Sequence, residues 1–276
     1  MNSDNAPHNV HARDALSYLF VPGNRPDRFE KALASGADRV IVDLEDAVAA
    51  GEKDAARSAA DRWFRIGNPA VLRINGIDSY WFEADLAMAA RFPEAEVMLP
   101  KADPASVERV LKYLVDRPVI ALIETVSGLM QASELASTRG VSRIAFGNID
   151  FSTDARIHVT SPALDHARFQ IAMVSRAAGQ PPPIDGVTAA LDDEDQLVND
   201  IRNARAYGFG GKLCVHPKQV ALVNQLFGPD EKEITWAKAI LSAVEAAGDN
   251  VVQFEGKMVD RPVVERATQI LQQLLR

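Results

Sequence analysis

The sequence contains one cysteine, Cys214, among 276 residues. An intrachain disulfide is therefore excluded, which fits the reducing cytoplasm, and we expect a cytoplasmic protein. Cys214 lies in the apolar run Leu213–Val215, which predicts an inert, buried thiol. No apolar run approaches the roughly 20 residues of a membrane-spanning helix. The first residues lack the apolar segment of a signal peptide, and we expect residues 1–14 to be a disordered leader.

Basic residues are in the minority, since 30 Lys and Arg stand against 38 Asp and Glu for a formal net charge of -8. This balance argues against a nucleic-acid partner, which usually requires a basic face. The sequence also lacks a Cys/His set for structural zinc and a G-x-S-x-G elbow. Gly208–Lys212 is glycine-rich but does not have the spacing of a phosphate-binding loop.

The sequence does contain eight β-like apolar runs separated by amphipathic helical stretches, a pattern that predicts an α/β protein with a (β/α)8 barrel of about 250 residues. We expect the barrel to span residues 15–228 and a C-terminal extension to span residues 229–276. The runs are Tyr18–Val21, Arg39–Asp43, Val71–Asn75, Glu96–Lys101, Val119–Glu124, Arg143–Asp150, Pro183–Gly186 and Lys212–His216.

Polar residues close most of these runs, and a barrel builds its active site at the C-terminal ends of its strands. Glu124 and Asp150 close the fifth and sixth runs, so two carboxylates would face one mouth. Two protein oxygens, completed by substrate and water, suit Mg²⁺. Each acid is also placed where it would cap the following helix, and that alternative stays open.

Arg73 closes the third run and offers a planar fork that matches a carboxylate. It would bind a substrate carboxylate, form an ion pair with Asp43 or Glu45, or do both. The segment DLED contains Asp43 and Glu45, which repel unless a cation offsets them. One of these acids would be a general base, and the alternative is a solvated loop charge.

Cations follow the first run around a glycine-containing turn and a helix start, a setting that suits a phosphate. They include Arg25 and Lys31, and the alternative is a solvated basic face. His216 closes the eighth run, where a loop-positioning hydrogen bond and a substrate contact are equally plausible.

A set of motifs gives the chain a resemblance to the HpcH/HpaI aldolase and citrate lyase beta-subunit family. Within that family it resembles the stand-alone CoA ester lyases that act on malyl-CoA, citramalyl-CoA or citryl thioesters. One departure is Ile149, where many relatives have an acid before the metal aspartate. The motifs are LFVPGNRPDRFEKALASGADRVIVDLEDAV, VLRING, VMLPKAD, ALIETVSGL, RIAFGNIDFSTD, AAGQPPPIDGV, GKLCVHPKQV and GKMVDRP.

The resemblance implies a barrel that forms homotrimers or hexamers, and the lack of long apolar runs predicts no membrane partner. It implies Mg²⁺ on Glu124 and Asp150 and a substrate carboxylate on Arg73, with Glu124 also contacting the substrate. It places the CoA phosphates near Arg25 and Lys31, and we add Lys101 to these cofactor-binding cations.

The resemblance also implies that the C-terminal extension is a lid, which brings a catalytic aspartate over the site of a neighbouring subunit, and the matching residue is Asp260. The sequence alone predicts that Asp260 caps the helix that begins at Arg261, and that alternative stays open.

The implied function is Mg²⁺-dependent cleavage of a short 3-hydroxyacyl-CoA to acetyl-CoA and a 2-oxo acid, or the reverse condensation. A citrate lyase beta subunit and a CoA-independent aldolase of 2-oxo-4-hydroxy acids are alternatives. A non-enzymatic scaffold is a further alternative, and the trio of Arg73, Glu124 and Asp150 argues against it.

Overall fold

Eight parallel strands pair in chain order and close into a barrel, as the alternation of strands and helices predicts. The computed structural model describes residues 15–247 and 252–275. The strands are β1 (Ser17–Pro22), β2 (Arg39–Asp43), β3 (Val71–Arg73), β4 (Glu96–Leu99), β5 (Val119–Ile123), β6 (Val141–Phe146), β7 (Ile184–Asp185) and β8 (Gly211–Cys214).

Continuous apolar runs form these strands because both of their faces are buried in a parallel barrel. The central residues of β2 are buried, and β2 pairs in register with β1 and β3. The pairing is thinnest around β7, which has two residues and joins β6 through a single register pair. Side chains from the strands fill the interior in one cluster that includes Tyr18, Ile41, Val71, Met98, Ile120, Leu122 and Leu213.

Helices follow the strands because each has an apolar stripe that packs on the sheet. In the second helix, for example, the buried residues include Ala56, Ala60, Trp63 and Phe64. The helices are α1 (Phe29–Leu33), α2 (Lys53–Arg65), α3 (Phe82–Ala89), α4 (Pro104–Tyr113), α5 (Val126–Met130), α6 (Ala132–Ser137), α7 (Asn148–Asp154), α8 (Ala163–Ala177), α9 (Glu194–Ala206) and α10 (Val220–Phe227).

Several strands end earlier than their apolar runs predict, although β2 has the predicted bounds. The fourth strand was expected to reach Lys101 but ends at Leu99, because Lys101 adopts a left-handed conformation with φ of 49°. The sixth was expected to reach Asp150 but ends at Phe146, and Asp150 lies in the first turn of α7. The prediction was wrong here because a strand end and a helix start share the same apolar residue types.

The described chain divides into two compact units, with the division between Asn224 and Gln225. The second unit contains α11 (Glu231–Ala247), an antiparallel pair of β9 (Val252–Phe254) and β10 (Lys257–Val259), and α12 (Arg261–Gln272). It has its own buried cluster of Ala237, Ile240, Ala267 and Ile270. Helix α10 extends across this division. The domain limits expected from the sequence, residues 15–228 and 229–276, stay a prediction.

Two expectations from the sequence concern chain segments rather than elements. The leader predicted for residues 1–14 lies outside the described residues. Within the described ranges, no helix combines the length and apolarity that a membrane span requires.

Candidate active site

A buried ion pair joins the carboxyl ends of β2 and β3. Asp43 and Arg73 are register partners, and the pair is bidentate, with Nε–Oδ1 and Nη2–Oδ2 distances of 2.7 Å each. The ring of Phe20 lies under the guanidinium, 4.6 Å from its central carbon. Burial acts to lower the pKa of Arg73, but Asp43 and Glu45 outweigh it and the net pKa is raised. Arg73 therefore remains a fixed positive charge in the mouth of the barrel.

Both oxygens of Asp43 are fully engaged. Besides the guanidinium, Oδ1 accepts the backbone N–H of Glu45 at 2.8 Å and Oδ2 accepts that of Ala47 at 3.0 Å. The sequence-based alternative of an ion pair with Arg73 is thus confirmed. Four hydrogen bonds make Asp43 an anchor for Arg73 and for the following loop.

Glu45 lies between two cations. Its Oε2 is 3.2 Å from Nη1 of Arg73, and its Oε1 accepts a hydrogen bond from Nζ of Lys101 at 3.0 Å. Burial raises the pKa of Glu45, Arg73 opposes the rise, and Asp46 adds to it, so that the net pKa is raised. Of the two predicted base candidates, Glu45 has the carboxylate that faces the cationic cluster and is not saturated by backbone donors.

Lys101 connects two carboxylates through its left-handed backbone. Its backbone N–H donates to Oε2 of Glu124 at 3.0 Å while its ammonium reaches Glu45. A non-glycine residue with positive φ costs about 1–3 kcal/mol and is often found at functional sites. The Lys101 side chain remains half-exposed, so the predicted contact with a cofactor phosphate stays a prediction.

Glu124 follows β5 and is almost completely buried, with 2% of its surface exposed. Burial raises its pKa to about 8; Arg73 opposes the rise, and the charges of Glu45 and Asp150 add to it. The backbone at Gly147 approaches so closely that a Cβ there would lie 2.4 Å from Cγ of Glu124. Glu124 is therefore held in a narrow slot, where burial disfavours its charged form and the charges of Glu45 and Asp150 add to that effect.

Asp150 supplies the second candidate metal ligand from the first turn of α7. Its carboxylate has no hydrogen-bond or ion-pair partner within the described part of the chain. The residues described contain no cluster of three or more His, Cys, Asp or Glu side chains with metal-site geometry. Two carboxylates, one crowded by like charge and one free, fit Mg²⁺, which keeps several waters.

The other predicted residues have different surroundings. Arg25 is partly exposed and forms a bidentate pair with Asp27, and Lys31 is exposed on α1. His216 positions its own loop, because its Nδ1 accepts the backbone N–H of Lys218 at 3.1 Å. The phosphate-binding role of Arg25 and Lys31 stays a prediction.

Asp260 belongs to the second unit. Its Oδ1 accepts the backbone N–H of Val263 at 3.3 Å and caps α12. This confirms the helix-cap alternative, and its catalytic role stays a prediction.

A second polar cluster, formed by Lys53, Asn75 and Asp85, lies behind the DLED loop and was not predicted from the sequence. Lys53 begins an amphipathic helix in which lysine is normally solvated, yet its side chain is buried. Asn75 stood out only as the end of the third apolar run. Nothing in the local sequence pattern reveals that these residues meet.

The chain is similar to known proteins over most of its length. The HpcH/HpaI aldolase/citrate lyase family matches residues 16–217. A citrate lyase subunit beta-like protein of Deinococcus radiodurans is 38% identical, with 92% of this chain and 95% of that protein covered. A (3S)-malyl-CoA thioesterase of Cereibacter sphaeroides is 33% identical, with coverage of 92% and 93%.

A solved structure of the protein CitE from Mycobacterium tuberculosis, in complex with magnesium, acetoacetate and coenzyme A, is also similar. It superposes with a TM-score of 0.83 at 33% identity, and 96% of this chain and 100% of that chain are covered.

Proposed function

Since the chain belongs to the HpcH/HpaI aldolase/citrate lyase family and is an enzyme of the lyase type, we propose that it cleaves a short 3-hydroxyacyl-CoA with a terminal carboxylate. The leading substrates are malyl-CoA and citramalyl-CoA, and the products are acetyl-CoA and a 2-oxo acid. The observation that carries the proposal is the fixed guanidinium of Arg73 beside the buried, charge-crowded Glu124.

Arg73 recognises the terminal carboxylate of the substrate in this proposal. Asp43 holds Nε and Nη2 of the guanidinium, and Nη1, which lies 3.2 Å from Oε2 of Glu45, is the nitrogen that the substrate carboxylate would share with Glu45. A fixed donor lowers the entropic cost of orienting the substrate. Glu124 and Asp150 would hold Mg²⁺, which supplies Lewis-acid stabilisation of developing oxygen charge.

Glu45 is the proposed base. It takes the proton of the substrate hydroxyl, the carbon–carbon bond breaks as the 2-oxo acid forms, and the electron pair passes to the thioester enolate. A proton must return to the enolate carbon, and the resemblance assigns this step to Asp260. The reverse condensation uses the same groups in the opposite order.

The similarity to CitE solved with magnesium and coenzyme A supports a metal and a CoA thioester for this chain. Arg25, Lys31 and Lys101 are the proposed phosphate contacts. A homotrimer or hexamer and a cytoplasmic location complete the proposal, the first from the resemblance and the second from the single cysteine.

Thioester hydrolysis is the second candidate, because one relative is named (3S)-malyl-CoA thioesterase. The two reactions differ in the bond that breaks, since hydrolysis leaves the carbon skeleton of malate intact. A citrate lyase beta subunit would prefer a citryl thioester, and a CoA-independent aldolase would act on a free 2-oxo-4-hydroxy acid.

The deciding experiment incubates the purified protein and Mg²⁺ separately with malyl-CoA, citramalyl-CoA, citryl-CoA and a free 2-oxo-4-hydroxy acid, and identifies the products by mass spectrometry. Acetyl-CoA with glyoxylate or pyruvate supports the proposal. Free CoA with malate would establish hydrolysis instead, and activity on the free acid alone would establish the aldolase. Turnover that is undiminished in excess chelator would refute the metal requirement.

A further inference from the structure

Lys53 uses all three of its ammonium protons on the far side of the DLED loop. Nζ donates to the carbonyl oxygen of Leu44 at 2.8 Å, to that of Glu45 at 2.7 Å and to Oδ1 of Asn75 at 2.7 Å. The residue is only 7% exposed. A lysine ammonium has three N–H donors, and these three contacts give each donor an acceptor. Burying an ammonium is expensive, and this arrangement would not persist without a compensating set of hydrogen bonds.

A second layer holds this ammonium in place. Nδ2 of Asn75 donates to the carbonyl of Leu44 at 2.9 Å and to Oδ2 of Asp85 at 2.6 Å. Asp85 is fully buried, and its Oδ1 accepts from Nε of Arg57 at 2.7 Å. Lys53, Asn75 and Asp85 therefore form one connected network that ends on the backbone of the loop.

Glu45 is consequently fixed on both sides of its peptide. Its N–H donates to Asp43, which Arg73 holds, and its C=O accepts from Lys53. With the backbone fixed, its carboxylate lies between the guanidinium of Arg73 and the ammonium of Lys101. The hydrogen bond from the N–H of Glu45 to Asp43 belongs to the site already described. The hydrogen bond from Lys53 to the Glu45 carbonyl belongs to the separate network of Lys53, Asn75 and Asp85.

We propose that Lys53 is a positioning residue, which clamps the carbonyls of Leu44 and Glu45 so that the Glu45 carboxylate faces the substrate. The inference rests on the proposed function for the role of Glu45 as the base. Lys53 touches neither substrate nor metal in this scheme and acts only through the loop.

The test replaces Lys53 with methionine, which keeps the length of the side chain and removes every donor. The matched control is Arg117→Met. Arg117 is also buried, and its Nη1 donates to the backbone carbonyls of Ala89, Phe92 and Ala95. These carbonyls lie at the end of α3 and in the loop that leads to the amino end of β4, at the opposite end of the barrel from the site. In Lys53→Met the carbonyls of Leu44 and Glu45 keep Nδ2 of Asn75 and the N–H of Val48 as donors, and in Arg117→Met those of Ala89 and Phe92 keep backbone donors. Each change therefore removes hydrogen bonds from a charged donor, at a cost of about 1.5–3 kcal/mol for each bond, without leaving these four carbonyls unpaired.

Two readouts separate positioning from stability alone. Hydrogen exchange of peptides covering residues 44–48 should accelerate in Lys53→Met and remain at the wild-type rate in Arg117→Met. For the folded enzyme, kcat of Lys53→Met should fall by about 100-fold, the loss expected for a misplaced catalytic group. KM for the thioester should change by less than about two-fold, since substrate contacts are kept. Arg117→Met should lose melting temperature and keep kcat.

Unchanged exchange in residues 44–48 of Lys53→Met would overturn the inference, as would an equal loss of kcat in both variants. If Lys53→Met does not fold, Asn75→Ala gives the same test, because it removes one of the three acceptors and leaves the lysine. Asn75→Ala should also accelerate hydrogen exchange of residues 44–48 and lower kcat, both by less than Lys53→Met. Exchange of residues 44–48 at the wild-type rate in Asn75→Ala would also overturn the inference. Accelerated exchange in a protein whose wild type cleaves no thioester would refute the proposed function and leave the clamp established.

Discussion

At the scale of single residues, the acidic residues of the site differ in how many hydrogen-bond partners their carboxylate oxygens already have. Asp43 accepts four hydrogen bonds and is an anchor. Glu45 accepts from the N–H of Asp46 and from Nζ of Lys101, and Glu124 accepts from the N–H of Lys101. Burial raises the pKa of Glu124 to about 8, and its neighbours Glu45 and Asp150 add to the rise. The proposed chemical roles of Asp43, Glu45 and Glu124 thus differ because the partners of their carboxylates differ.

Replacing Arg73 with lysine should remove most of the activity. Lysine keeps the charge but cannot reproduce the fork that grips Asp43 through two nitrogens. Loss of one partner in a buried, hydrogen-bonded charge pair costs about 2–5 kcal/mol. We expect kcat/KM for the thioester to fall by a corresponding factor, measured in the coupled lyase assay. Near-normal kcat/KM would show that the arginine does not bind the substrate carboxylate.

Cys214 should be unreactive in the native protein. It is fully buried, and burial raises its pKa to about 12 although Lys212 opposes the rise. A thiol reagent at about pH 8 should label the protein only after denaturation, because the thiolate is the reactive form. Rapid labelling of the folded chain would contradict the closed barrel interior. Cys214→Ser labelled in parallel gives the background.

At the scale of elements, the barrel was predictable and the residues beyond its strand ends were less so. Parallel strands buried on both faces produce continuous apolar runs, and β2 has the expected bounds. Asp150 was assigned to a strand end, but it lies in α7, since FGNID contains no signal that separates the two elements. Lys53 was missed because its contacts come from distant chain segments, which local periodicity does not report.

Gly147→Ala should disturb the candidate metal site without touching a charge. The new Cβ would lie 2.4 Å from Cγ of Glu124, so the carboxylate must move. We expect Mg²⁺ affinity, measured by calorimetry, to fall about 10–100-fold, as it does when support of a metal ligand is lost. Gly51→Ala is the control, because nothing lies within 4 Å of its added Cβ. Equal affinity in both variants would place the metal away from Glu124.

At the scale of the whole molecule, charge is buried in more than one place. On the β7–β8 side, Asp185 accepts from Nζ of Lys212 and Nε of Arg168, each at 2.9 Å. Burial acts to raise the pKa of Asp185, but Lys212 and Arg168 outweigh it, and the net pKa is lowered. This cluster lies apart from the proposed chemistry and contributes to the stability of the barrel.

Asp185→Asn should therefore be costly at neutral pH, by about 3 kcal/mol for a broken buried pair. A carboxyl whose folded pKa is lowered stabilises the fold above its unfolded pKa of about 3.9, and this contribution is lost as the pH falls further. Urea unfolding should show a gap between variant and wild type that is full at neutral pH and narrows below about pH 3.9. A gap that is independent of pH would contradict the lowered pKa.

Asp116→Asn is the matched control. Its pair with Arg139 is exposed, and its φ of 56° suits asparagine as well as aspartate. An exposed pair contributes at most about 1 kcal/mol, and we expect a small, salt-sensitive effect.

The single register pair between β6 and β7 has a consequence for aggregation of the protein during storage. A closed barrel offers no strand edge, so the barrel strands of intact molecules cannot pair with one another. If thermal motion opens the ring, it should do so at this narrow seam, and the opening exposes the unpaired backbone of β6, a six-residue strand. Conditions that stabilise the pairing of β6 with β7 should reduce aggregation more than conditions that stabilise strands that are already well paired, such as β1 and β2.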